Sequence, residues 1–230
     1  MVTLHDIPRP GRGGAGWLVL IGGTSGRWAA TEEIDRAAVA RMGRGKPIAF
    51  VPAANCPPDY GESFLATYAR LGAPDGYEVP IYDRATARDP ANAERLREAG
   101  LIYFGGGDTT QLLASMTGTH ALAAVAAAYE AGAVIVGMSA GAIALAEWGV
   151  SLGAGVLEGW GWLPRTVVSV HHTAARDALL ARAIEARPQA LGVALAEHVA
   201  LALGPDGEAE QWGGEAIGLV AGAAFDASER

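Results

Sequence analysis

The chain has 230 residues, half of them apolar and only 18% charged, with a formal net charge of −8. That apolar share is enough for a core buried on both faces of a sheet, and it excludes disordered, collagenous and disulfide-scaffold classes. Seventeen Lys and Arg against 25 Asp and Glu build no visible basic face, so neither nucleic acid nor an anionic membrane is expected as a partner.

Cys56 is the only cysteine, which rules out an internal disulfide or a multi-cysteine metal site and fits a reducing compartment. Residues Met1 to Gly16 carry Asp6 and two arginines around Pro8 and Pro10, without the apolar stretch of a signal peptide. The longest apolar runs, such as Ala121 to Ala128, fall well short of the ~20 residues that span a bilayer. A cytoplasmic protein is expected, with one domain over 1–230 and an N-terminal arm over 1–15.

In chain order, Trp17 to Ile21 (WLVLI) reads as a first strand and Gly22 to Gly26 as a turn. The next helix carries Glu32 and Glu33 near its start and Arg41 and Arg44 near its end, the charge order a helix dipole favours. Lys46 to Val51 predicts a strand, Ser63 to Leu71 a helix, Tyr77 to Tyr82 a third strand, and Ala91 to Ala99 a helix closed by Gly100. Leu101 to Phe104 (LIYF) reads as a buried strand running into Gly105, Gly106, Gly107 and Asp108. Thr109 to Ser115 and His120 to Ala131 read as helices, with Gly132 as a stop. Ala133 to Gly137 predicts a strand, Ala140 to Trp148 a helix and Gly149 to Pro164 a Gly- and Trp-rich loop. Val167 to Val170 predicts a strand and Thr173 to Ala186 a helix, followed by two or three final strands. Strands alternating with alanine-rich helices predict an α/β fold, a three-layer doubly wound, mostly parallel sheet.

Ser139 lies in Gly137-Met138-Ser139-Ala140-Gly141, a G-x-S-x-G pattern between a strand and a helix, the context of a nucleophile elbow. The plainer alternative is a tight turn with serine as helix cap. A serine hydroxyl needs a base, and the His171-His172 pair at the end of a predicted strand is placed to meet it on the rim where strand ends converge. Glu197, between two apolar runs, is the preferred acid over Glu147 and Glu158. Gly106 and Gly107, with Ala140, are candidates for an oxyanion hole, because glycine amides leave a substrate carbonyl room to approach. The Gly22 to Gly26 segment has the glycine content of a phosphate loop but neither of its spacings, so a rim loop is the better reading. With no H-E-x-x-H and no His/Asp cluster, neither a metal nor a cofactor is expected.

These residues resemble the serine peptidases that include dipeptidase E (aspartyl dipeptidase) and cyanophycinase, built on the flavodoxin-like, class I glutamine amidotransferase-like fold. The match rests on Leu18 to Gly23 (LVLIGG), Ile48 to Ala53 (IAFVPA), Tyr103 to Leu113 (YFGGGDTTQLL) and Gly137 to Ala142 (GMSAGA), in the family's order. The resemblance implies Ser139 as nucleophile and His171 as base, with His172 where the family usually has phenylalanine. Ala194 to Glu197 (ALAE) resembles the segment that carries the acid of the cyanophycinase branch, which implies Glu197. Both branches recognise aspartyl groups, implying a basic residue near the rim. Arg165 and Arg176 are the candidates, and Asp108, Thr109 and His172 complete the expected substrate contacts. The implied activity is hydrolysis of short aspartyl peptides, either Asp-Xaa dipeptides or β-Asp isopeptides, by a monomer or homodimer acting on a small peptide. The alternatives are a glutamine amidotransferase-like amidase, which carries cysteine at the elbow, and a catalytically silent binding protein on the same scaffold.

Overall fold

A computed structural model describes residues 2–11, 14–24 and 31–228. In chain order the elements are β1 (Trp17–Ile21), α1 (Glu32–Arg41), β2 (Ile48–Val51), α2 (Tyr60–Arg70), β3 (Gly76–Glu78), α3 (Pro90–Glu98), β4 (Leu101–Phe104), α4 (Thr109–Met116), α5 (His120–Glu130) and β5 (Val134–Met138). They continue with α6 (Ala140–Leu145), β6 (Ala146–Ser151), β7 (Gly155–Glu158), β8 (Leu163–Ser169), α7 (Ala174–Glu185), β9 (Leu191–Ala194), β10 (Val199–Leu203), β11 (Ala209–Gly213) and β12 (Gly218–Ala221).

A seven-stranded sheet runs β11-β10-β1-β5-β4-β2-β3, with β1, β5, β4, β2 and β3 parallel and β10 and β11 joining antiparallel at one edge. Strand alternation sends Leu18, Leu20, Ile102 and Phe104 to one face, against α3, α4, α5 and α6. Val19, Ile21, Leu101 and Tyr103 point to the other, against α1 and α2. This is the predicted doubly wound α/β arrangement. A second sheet, β12-β9-β8-β6-β7, has a parallel centre in β6, β8 and β9. Its Val168, Leu191 and Val193 join the first face's core, and Val150 and Val167 meet Leu180 and Ile184 of α7 on the other side.

The second sheet corrects the predicted elements after the elbow. The helix expected over Ala140 to Trp148 stops at Leu145, and Ala146 to Ser151 form β6. All six residues of α6 are buried, so its end is decided by what surrounds it rather than by alanine's helix propensity. β6 folds back so closely over α6 that a Cβ on Gly149 would stand 2.3 Å from Ile143. The expected Gly149 to Pro164 loop contains β7 and the start of β8, and β8 begins four residues before the predicted Val167. The third strand ends at Glu78 because Pro80 has no amide for the ladder. Four strands, rather than two or three, follow α7 among the described residues. Within the described residues, no single helix is long and apolar enough to cross a membrane.

Asp35 of α1 is a fully buried carboxyl that accepts hydrogen bonds from the hydroxyls of Tyr68 at 2.7 Å and Thr31 at 2.9 Å. Burial pushes it up from 3.8 to about 6, against the pull of those two hydrogen bonds. With the folded value above the unfolded one, the neutral carboxyl's contribution to stability is complete below 3.8 and is lost as pH rises through about 6. Ionised Asp35 then costs the fold ~3 kcal/mol at neutral pH. Urea unfolding from pH 4.5 to 7.5 is expected to show stability falling across that window, with a flatter profile in Asp35→Asn.

Candidate active site

The elbow is built by close approach. A Cβ on Gly137 would lie 2.5 Å from the Gly141 backbone, and one on Gly141 would lie 2.8 Å from the Phe104 carbonyl. Only glycine at both places lets β5 turn at once into α6. Ser139 takes φ 52°, ψ −103°, a conformation costly for any residue with a Cβ. It lifts the half-buried Ser139 side chain off the strand end while α6 directs its first amides toward the same space.

The structure brings the expected serine, histidine and glutamate together. Ser139 Oγ lies 2.8 Å from His171 Nε2, and His171 Nδ1 lies 2.9 Å from Glu197 Oε1. With its proton on Nδ1 and donated to the carboxylate, the ring offers Nε2 as acceptor for the serine hydroxyl. Ser139 follows β5 of the first sheet, His171 follows β8 of the second, and Glu197 sits in the turn between β9 and β10, where the chain crosses from one sheet to the other. Of the two adjacent histidines it is His171 that meets Ser139. His172 turns away, with Nδ1 3.1 Å from Asp177 Oδ1.

The end of β1 holds this group together. The carbonyl of Ile21 accepts the Ser139 amide at 2.9 Å, that of Gly22 accepts the His171 amide at 3.0 Å, and that of Gly23 accepts the His198 amide at 2.9 Å. A Cβ on Gly23 (φ 128°) would stand 2.2 Å from His171 Cε1, so the bare glycine forms a wall against the imidazole. The sequence predicts a rim loop over Gly22 to Gly26, and the structure adds this supporting role. A glycine pair at the carboxyl end of the first strand was the available signal. Ser25 and Gly26 lie outside the described residues.

Gly106 stands beside Ser139, where a Cβ would be 3.5 Å from that of Ser139. Its carbonyl accepts from Cys56 Sγ at 3.2 Å. The amides of Gly107 and Ala140 have no hydrogen-bond acceptor among the described residues, and the Gly107 loop is braced by the Asp108 amide on the Ala54 carbonyl at 2.7 Å.

Among the expected substrate contacts, the structure corrects Arg165. Asp108 Oδ1 is occupied as the cap of α4, accepting from Thr110 and Gln111, and Thr109 is buried. Arg165 lies near the start of β8, ~20 Å of extended chain before His171. Its amide binds Glu147 at 2.6 Å and its guanidinium faces Phe225. Glu147 is therefore on a strand, engaged away from the site, and not on the helix that Ser139 opens. Arg176 sits in the first turn of α7, on the rim but outside the cavity wall.

That cavity, of about 490 Å³, opens beside His171 and is walled by His172, Thr173, Glu197, His198 and Glu215. A larger one of about 650 Å³ between α2 and β3 contains none of the Ser139 group. Among the described residues, no three His, Cys, Asp or Glu side chains are grouped to hold a metal ion.

The sequence model of peptidase family S51 matches residues 18–210. The chain is 28% identical over 225 residues to the cyanophycinase of Synechococcus elongatus, covering 90% of this chain and 69% of that protein. The cyanophycinase of Thermosynechococcus vestitus matches to the same extent. Among solved structures, a peptidase from an acI-B1 Actinobacterium superposes with a TM-score of 0.75 at 19% identity, covering 92% of this chain and 96% of that one. A putative peptidase E from Listeria monocytogenes EGD-e superposes with a TM-score of 0.57 at 15% identity, covering 90% and 98%. These two likenesses establish the shared fold.

Gly23→Ala is expected to push the imidazole away from Ser139, because the added methyl meets the ring and the positive φ disfavours alanine. Labelling of Ser139 by a fluorophosphonate should slow by on the order of a hundredfold while circular dichroism reports an intact fold.

Proposed function

Because this chain belongs to peptidase family S51 and is a serine peptidase, we propose that it hydrolyses short aspartyl peptides through an acyl-enzyme on Ser139. The observation that carries the proposal is the continuous hydrogen-bonded line from Ser139 through His171 to Glu197, at 2.8 and 2.9 Å.

In this reading Ser139 Oγ attacks the scissile carbonyl carbon while its proton passes to His171 Nε2. Glu197 holds the ring's orientation and stabilises the imidazolium. The tetrahedral oxyanion rests on the amides of Gly107 and Ala140, each such donor being worth ~3 kcal/mol in the transition state. Collapse breaks the C–N bond, and Nε2 returns its proton to the departing amine. Water then gives a proton to His171 and attacks the ester, releasing the acid and restoring the Ser139 hydroxyl.

The cavity of about 490 Å³ borders His171 and Glu197 but not Ser139, so its volume does not bound the substrate. One feature beside it supports an acidic substrate. The amino end of α7, capped by Thr173 at the cavity wall and carrying Arg176 in its first turn, offers partial positive charge to a side-chain carboxylate. The similarity to cyanophycinases makes β-linked aspartyl peptides the first substrates to try.

Purified protein tested on α-Asp-Xaa, β-Asp-Xaa and non-acidic dipeptides is expected to cleave an aspartyl series preferentially. Equal rates across the panel would remove the aspartyl assignment. Ser139→Ala should lower kcat by on the order of 10⁶-fold. Glu197→Gln, which keeps the shape but favours the wrong imidazole tautomer, should lower it by about 10⁴-fold.

A further inference from the structure

Glu197 and His198 share one turn, yet their side chains part company: Glu197 reaches His171, while His198 Nε2 stands 3.3 Å from Thr24 Oγ1. His198 adopts φ 60°, a conformation unfavourable for a residue with a Cβ. Its backbone is tied on both sides, with its amide on the Gly23 carbonyl at 2.9 Å and its carbonyl accepting the Gly214 amide at 3.2 Å. Thr24 directly follows Gly23, the residue whose bare Cα lies against the His171 ring. The imidazole is therefore held from two directions, by Gly23 at the ring and by Glu197 at Nδ1. The Thr24–His198 contact joins the segment bearing the first to the turn bearing the second.

We propose, resting on the reading of Ser139, His171 and Glu197 as the catalytic group, that His198 is a positioning residue. Through Thr24 it clasps the end of β1 to the acid-bearing turn, keeping Gly23 against the imidazole and Glu197 in line with Nδ1. Backbone bonds fix the path of this turn, and the side-chain clasp adds a tie between it and the residue next to Gly23. Small displacements of a base are costly to rate. His198 also borders the cavity, so direct contact with substrate is the competing role. Thr24 separates the two, because it belongs to the clasp and not to the cavity wall.

Thr24→Val, His198→Ala, the double variant and His198→Gln, which restores a polar terminus at similar reach, test the proposal. The readouts are the far-downfield proton NMR signal of the Nδ1–H shared by His171 and Glu197, the fluorophosphonate labelling rate of Ser139, and kcat and KM on the peptide identified by the substrate panel. Each single variant is expected to weaken or shift the NMR signal and to slow labelling by between about ten- and a hundredfold. The fall should lie in kcat with KM little changed, the double variant should be no worse than the more affected single one, and His198→Gln should recover most of the loss. An unchanged signal and labelling rate in both single variants would overturn the proposal. So would a rise in KM alone in His198→Ala that Thr24→Val fails to reproduce, which would make His198 a substrate contact. If wild-type protein is not labelled at all, the acyl-enzyme reading falls, and the NMR signal still decides whether the clasp positions the ring.

Discussion

The carbonyls of Ile21, Gly22 and Gly23 accept the amides of Ser139, His171 and His198 within 2.9–3.0 Å, so one strand end sets the register of residues drawn from two sheets. A net contribution of about 1 kcal/mol for each such bond matters less than its directionality. Peptide groups do not change rotamer, so three successive carbonyls at the end of β1 present acceptors at a fixed spacing. This arrangement requires glycine. A Cβ on Gly22 would lie 2.0 Å from the Ala196 carbonyl, and one on Gly23 would run into the His171 ring.

Strain gathers around the same point. Ser139, His171 and His198 all have positive φ, a conformation that costs of order 1–3 kcal/mol at each such residue. What offsets it is the rigidity of the strands behind them. β4, β5 and β10 are buried along their whole lengths, and Leu18 to Ile21 of β1 are completely buried, so the strand ends have little freedom to relax. The site thus depends on a core that appears in none of its chemistry.

The two-sheet construction also divides the labour. The first sheet contributes Ser139 and the glycine loop beside it, the second contributes His171, and Glu197 lies in the turn that passes from the second sheet to the first. The sheets are coupled by the short, fully buried α6 and by the β9–β10 crossing. Ser139 and His171 face each other across this seam, so small relative movements of the sheets act directly on the distance between them.

Several features were legible in the residues themselves. Trp17 to Ile21 and Leu101 to Phe104 are continuous apolar runs bounded by turns, and both are strands with those bounds. The elbow was readable because Gly137, Ser139 and Gly141 state a local steric requirement that needs no distant partner. Glu197 was placed because a carboxylate between two apolar runs must fall at a strand end. Tertiary structure decided the rest. Alanine-rich Ala140 to Trp148 favours helix locally, and only pairing of Trp148 with Val167 makes a strand of its second half. The resemblance implies a basic residue near the rim, but the length of β8 carries Arg165 to the far end of the sheet. That Gly106 accepts from Cys56 Sγ, and that Gly23 walls the imidazole, follow from contacts between segments far apart in the chain. Local sterics and hydrophobic pattern can be written into a few consecutive residues, whereas the partner of a strand, a carbonyl or a glycine Cα is chosen only when the whole chain has packed.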